Sequence, residues 1–187
     1  MTMPVDPFLS RDSVGPVGWC TTYNTIPLHF NAGLSEAKRS ILRKAITDMF
    51  ALAGLRVIPG EDFALYRPTS IGCPDAPVNR SILVVALPKD DPLWQQWRAD
   101  AWASNAPMVK YAKGYEYNGG SIVVNPVTPK KYLRTIGLHE AGHLLGLAHR
   151  PGAGKSIMNT YPDVSEPSES DKRNIAILGN QCRQAEQ

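Results

Sequence analysis

Apolar residues in this chain recur first with the period of a strand and then with that of a helix. Between Trp19 and Asn31, the residues Ile26, Leu28 and Phe30 alternate with Pro27 and His29, which predicts a strand with one apolar face. Pro27 lacks an N–H and so points to an edge or an irregular stretch there. His29 falls on the face opposite the apolar trio, where a solvated or hydrogen-bonded histidine belongs. Ile41, Leu42, Ala45, Ile46, Met49 and Phe50 then follow at helical spacing. They predict a helix capped by Ser35 that runs to about Ala53 and stops at Gly54. Residues 55–58 predict a short strand, and residues 59–80, rich in proline, glycine and aspartate, an ordered surface connection. Residues 82–87 are apolar without alternation, as in a central strand covered on both faces.

Asp91 and Pro92 look like the cap and first residue of a short helix carrying Leu93, Trp94, Trp97 and Ala101 on one side, its tryptophans serving as packing. Residues 108–112 predict an edge strand and residues 121–125, after two glycines, a further strand. Thr128 and Pro129 form an N-cap and N1 pair for the next helix. Its apolar or small residues Leu133, Gly137, Leu138, Ala141, Leu144 and Leu145 form the buried back. A glycine-containing loop at 150–155 follows, and a last helix starting near Ser168 or Ser170 carries Ile175, Ile177 and Leu178. Residues 1–17 show no periodicity and read as an arm, leaving 18–187 as one domain. No internal repeat appears. The predicted class is α/β (α+β): one twisted mixed sheet of about five strands packed on an N-terminal, a middle and a C-terminal helix.

Composition narrows the picture by exclusion. A chain of 187 residues with 43% apolar and 20% charged residues can bury a real core. A formal charge of +3 without a lysine- or arginine-rich run argues against nucleic acid as a partner. No run approaches 18 apolar residues, so no membrane span is expected. The N-terminus has neither the basic start nor the apolar stretch of a signal peptide. Export by another route, release by lysis and a targeting segment outside this sequence all stay open. Cys20, Cys73 and Cys182 are an odd number with no CxxC pair, compatible with one disulfide and a free thiol or with three thiols.

The chemistry concentrates in the middle helix. Three of the four histidines fall within His139-Glu140-Ala141-Gly142-His143-Leu144-Leu145-Gly146-Leu147-Ala148-His149. His139 and His143 lie one helical turn apart, so two imidazoles can reach one ion. Glu140 points about 100° round the helix, close enough to touch water at the ion without ligating it. Gly146 can take the positive φ of an abrupt helix stop, which would return His149 as a third ligand. Three protein ligands with one open position are the arrangement of a catalytic zinc rather than a closed structural one.

HEAGHLLGLAH followed by SIMNTY resembles the metzincin metallopeptidases, whose HExxHxxGxxH helix is followed by a methionine turn. The element order and the segment from Pro167 to Gly179 are most similar to the matrixin branch, over roughly residues 18–180. The resemblance implies a metzincin-like zincin fold with His139, His143 and His149 as ligands of one catalytic zinc and Glu140 as general base. It further implies Met158 as the apolar floor beneath the imidazoles, and Asp171 as an anchor of the last helix to the N-terminus or the methionine turn. Tyr161 and Pro162 would line the substrate pocket. A matrixin-type structural zinc is not expected, because only His29 lies outside the catalytic run, and the lack of clustered carboxylates in residues 88–120 makes calcium doubtful. Gly72-Cys73-Pro74-Asp75 resembles the inhibitory cysteine segment of matrixins but lies inside the domain, where a plain loop cysteine is expected.

The implied activity is zinc-dependent endopeptidase action on a polypeptide, with Glu140 taking a proton from the attacking water and passing it to the leaving amine. The substrate would add as an extended strand against the edge near 108–112. Two other classes fit the same motif: a zinc-fold structural or binding component of a larger assembly such as a virion, and a zinc hydrolase acting on cell-wall peptides.

Overall fold

A computed structural model describes residues 11–12, 15–16, 19, 25–63, 80–97, 101–105, 108–111, 114–117, 119–150, 154–160 and 162–185. In chain order the elements are β1 (Arg11–Asp12), β2 (Gly15–Pro16), β3 (Thr25–Phe30), α1 (Glu36–Leu52), β4 (Arg56–Pro59) and β5 (Ile82–Ala86). They continue with α2 (Pro92–Trp97), β6 (Ala101–Asn105), β7 (Met108–Tyr111), β8 (Gly114–Tyr117), β9 (Gly120–Val124), α3 (Lys130–Leu144) and α4 (Glu169–Ala185). One five-stranded sheet has the order β4-β3-β5-β9-β6. Its first four strands are parallel, and β6 runs antiparallel to β9 at the edge. β1 with β2 and β7 with β8 form separate two-stranded ribbons. The class is mixed α/β, as the hydrophobic pattern implied.

The unbroken apolar run in β5 has a direct physical cause. Ile82, Val84 and Ala86 enter the main core with Ile26, Leu28, Phe30, Ile122 and residues of α1, α3 and α4. Leu83 and Val85 face the other way, into a second cluster with Leu87, Trp94 and Val123. A strand buried on both faces has no position left for a polar side chain. The main core holds α1 against α3 through Leu42, Ala45 and Ile46. The two helices meet where Gly137 faces Ala45: a Cβ on the glycine would lie 2.8 Å from that of the alanine. Polar contacts fix the same pair at its rim. Lys38 Nζ donates to the carbonyls of Pro126 and Thr128, and Arg134 donates to Asp48 at 3.0 Å, Glu166 at 2.6 Å and the Ser165 carbonyl at 3.1 Å.

The structure corrects the sequence reading in four places. Pro27 sits inside a regular interior strand, neither at an edge nor in an irregular stretch. The N–H of Asn31 donates to Val84, so odd-numbered residues of β3 face β5, yet the β3–β5 ladder begins only at Leu28 opposite Ile82. Pro27 therefore precedes the ladder and has no partner to lose. Ala101 does not belong to the short helix, which ends at Trp97; it opens β6, paired with Val124. Residues 108–111 form the β7–β8 ribbon, and the edge strand of the main sheet is β6. The middle helix starts one residue later than expected, with Pro129 as its N-cap and no side-chain cap bond. Its neighbour Thr128 instead offers its carbonyl to Lys38.

Other expectations hold. Ser35 precedes α1, although its carbonyl rather than its hydroxyl meets the helix, accepting from Lys38 and Arg39. His29 is hydrogen-bonded, its Nδ1 lying 2.7 Å from the Glu61 carbonyl.

Candidate metal centre

Two helices end here by the same device. In α1 the N–H of Gly54 donates to Ala51 and that of Leu55 to Phe50; in α3 the N–H of Gly146 donates to His143 and that of Leu147 to Gly142. Both glycines carry positive φ, 76° at Gly54 and 100° at Gly146. This double bond pattern around a left-handed residue is the Schellman stop, and it satisfies carbonyls that the helix end would leave open. Trp19 Nε1 adds a donor to the Leu144 carbonyl at 2.6 Å while the indole packs edge-on against Phe50. After the stop the chain reverses, and His149 arrives beside the helix that carries the other two histidines.

The three rings converge through Nε2. The separations are 3.1 Å for His139 and His143, 3.2 Å for His139 and His149, and 3.2 Å for His143 and His149. Tetrahedral zinc with Zn–N bonds of about 2.0–2.1 Å requires nitrogens roughly 3.3–3.4 Å apart. The triangle fits that demand closely. Tautomers decide what the triangle is. His139 Nδ1 lies 2.5 Å from the Ile157 carbonyl and His143 Nδ1 lies 2.8 Å from the Leu147 carbonyl. A carbonyl only accepts, so both Nδ1 atoms carry hydrogen and both neutral rings present lone pairs at Nε2. Burial, the largest cause for each ring, keeps them neutral, and holds His143 down to about 4. Two lone pairs 3.1 Å apart cannot hydrogen-bond each other; a cation between them removes the repulsion. Among the described residues this is the one group of histidine, cysteine or acidic side chains that converges closely enough for a metal.

Glu140 is buried on the same helix. Loss of hydration pushes its carboxyl up to about 8, and the backbone N–H of Ala103, on edge strand β6, opposes the rise by hydrogen-bonding the carboxylate. The group thus lies between α3 and edge strand β6, with its proton affinity raised to about 8.

Met158 packs against the helix that carries His139 and His143. Met158 is 2% exposed, and its Sδ lies against the helix at Gly142. The turn that carries it is held by α4. The Asp171 carboxylate accepts from Ser156 Oγ at 2.6 Å and from the Ile157 N–H at 3.1 Å. It also accepts from the Ser168 N–H at 2.9 Å and Ser168 Oγ at 2.7 Å, while Ser168 Oγ receives the Asp171 N–H at 3.2 Å. Ser168 and Asp171 therefore make a reciprocal capping box, and the same carboxylate grips the methionine turn. Of the two anchors the resemblance allowed for Asp171, the turn is the one observed.

The structure brings the three histidines together, sets Met158 against Gly142 of the same helix and binds Asp171 to the turn that carries it. Sequence reasoning missed Ala103, Ser156 and Arg150, whose types carry no signal; Ser168-x-x-Asp171 was legible as a capping box. Pro162 is half-buried beyond the turn. Tyr161, Cys20 and the 72–75 segment lie outside the described residues.

No family model matches the chain, and no curated protein matches it in sequence. Solved structures similar to it include high choriolytic enzyme 1, a hatching enzyme zinc-protease from Oryzias latipes (medaka fish). That similarity is 12% identity over 88% of this chain and 94% of that one, with a TM-score of 0.48. Another is myroilysin, 12% identical over 83% of each chain, with a TM-score of 0.43.

Proposed function

We propose that this protein is a zinc-dependent endopeptidase of metzincin type, with His139, His143 and His149 holding the ion and Glu140 as general base. The observation that carries the reading is the Nε2 triangle, two of whose corners are fixed as lone pairs, beside a buried carboxyl. Zinc bound there would make a water nucleophilic near neutral pH and polarise a peptide carbonyl. Glu140, with its proton affinity raised by burial, is suited to take a proton from the attacking water and return it to the leaving amine. A chain that kept only the zinc fold would gain stability by exchanging that buried carboxyl for an apolar group.

The substrate would lie extended along β6 rather than along 108–112, since β6 is the edge strand of the main sheet among the described residues and its Ala103 already reaches Glu140. A strand added there runs past the carboxylate, with Met158 beneath the rings and Tyr161 and Pro162 as pocket wall. The test is Glu140→Ala. The variant should keep one zinc per chain by elemental analysis and lose peptide hydrolysis by about 10²–10⁴-fold. Hydrolysis at the wild-type rate would refute the assignment.

A further inference from the structure

We infer that Arg150 is a positioning residue for the third histidine, tethering it to the first turn of α4; the inference rests on the three histidines holding a metal. The rings of His139 and His143 are each steered by a carbonyl on Nδ1. His149 is the exposed member of the three, and among the described residues its Nδ1 has no such partner. The residue that follows His149 is held at both its backbone and its side chain. The Arg150 N–H donates to the Met158 carbonyl at 2.7 Å, and Arg150 Nη1 donates to Ser170 Oγ.

These contacts join two supports into one. Ser170 stands beside Asp171 in α4. Asp171 holds the Ile157 N–H, and the Ile157 carbonyl steers His139. Ser170 holds Arg150, and Arg150 carries His149. One helical turn, some twenty residues beyond the last ligand, thus sets the spacing between the first and third corners of the triangle, while His143 is set by its own helix stop. Groups that hydrogen-bond a ligand directly change metal affinity by about 10–100-fold when removed, and a tether on the adjoining residue acts at the lower end of that range. The arginine also stands at a position where the motif itself prescribes nothing, which is why its role is invisible before folding.

The test is metal binding read in two ways, cobalt(II) titration followed by its visible d–d spectrum and zinc affinity by chelator competition, on wild type, Arg150→Ala, Arg150→Lys, Ser170→Ala and the double alanine variant. Arg150→Ala and Ser170→Ala should each weaken zinc by about tenfold or more and shift the cobalt spectrum. The double variant should lose no more than the worse single one, because both cut the same tether. Arg150→Lys should recover part of the affinity. Ser170→Ala keeps the fold and the Asp171 box, so it serves where Arg150→Ala is too unstable to titrate. Unchanged affinity and spectrum in Ser170→Ala, or single losses that multiply in the double variant, would overturn the tether. A wild-type chain that takes up neither metal would instead overturn the reading of the site beneath it.

Discussion

Gly142 and Met158 are fitted to each other: a Cβ on the glycine would come within 2.5 Å of the methionine Sδ and within 3.3 Å of its terminal methyl. The second variable position of the HExxH segment therefore has no side chain where Met158 rises against the helix, between His139 and His143.

Gly142→Ala should displace Met158 towards the rings. The expected cost is about 1–3 kcal/mol of stability, as for other overpacked cores, together with weaker zinc binding. Met158→Leu, which keeps the volume, should cost less than about 1.5 kcal/mol. Urea unfolding of the two variants, with and without zinc, checks the ranking; equal stability of Gly142→Ala and wild type would count against the packing described.

The paired helix stops allow a controlled comparison. Gly54→Ala and Gly146→Ala each force an alanine into positive φ, 76° and 100°, and each should cost about 1–2 kcal/mol. Only Gly146→Ala should also loosen zinc, because the Leu147 carbonyl that steers His143 hangs from that turn. Chelator competition on both variants tells global from local damage.

Glu140 should leave a mark on the pH dependence of the metal-free protein. Its folded pKa is raised from 4.5 to about 8, so between those values the folded state holds more protons than the unfolded one. Stability from this group is intact below about pH 4.5 and is lost as the pH climbs towards 8. Glu140→Gln should flatten that slope, and a bound cation, which favours the carboxylate, should reduce it. Denaturant titrations between the ordinary carboxylate value and about pH 8 give the slopes directly; identical slopes in wild type and variant would contradict the buried environment.

Asp171→Asn replaces a carboxylate that accepts from Ser156, Ile157 and Ser168 by a group with one acceptor oxygen and two extra donors. A loss of about 2–4 kcal/mol is expected. Zinc affinity should fall with it, since the Ile157 carbonyl no longer holds His139 in place. Ser168→Ala, which removes only the cap, should cost about 1 kcal/mol and spare the metal.

How far the sequence could be read depended on whether a signal was local. His139, Glu140 and His143 lie on one helix, so periodicity alone groups them. Gly54 and Gly146 announce helix ends because few other residues tolerate the φ they adopt. That Ala101 belongs to a strand and not to the short helix after Pro92 is not legible locally, because an alanine suits helix and strand alike and its partner, Val124, lies far along the chain. Pro27 is opaque for a related reason: whether a missing N–H matters depends on where the neighbouring strand begins.

The sequence by itself determined that three imidazoles and a carboxylate could meet one ion, that one helix would carry three of those four groups, and that the chain would reverse at Gly146. Tertiary structure alone decided which edge of the sheet lies open beside Glu140, which carbonyls turn the rings, and that the first turn of α4 holds the methionine turn and Arg150 in place. The division follows from range. Helix periodicity and turn preference are set by a few neighbouring residues, whereas strand order and the hydrogen bonds of Asp171, Ile157 and Arg150 exist only once distant segments have been packed together.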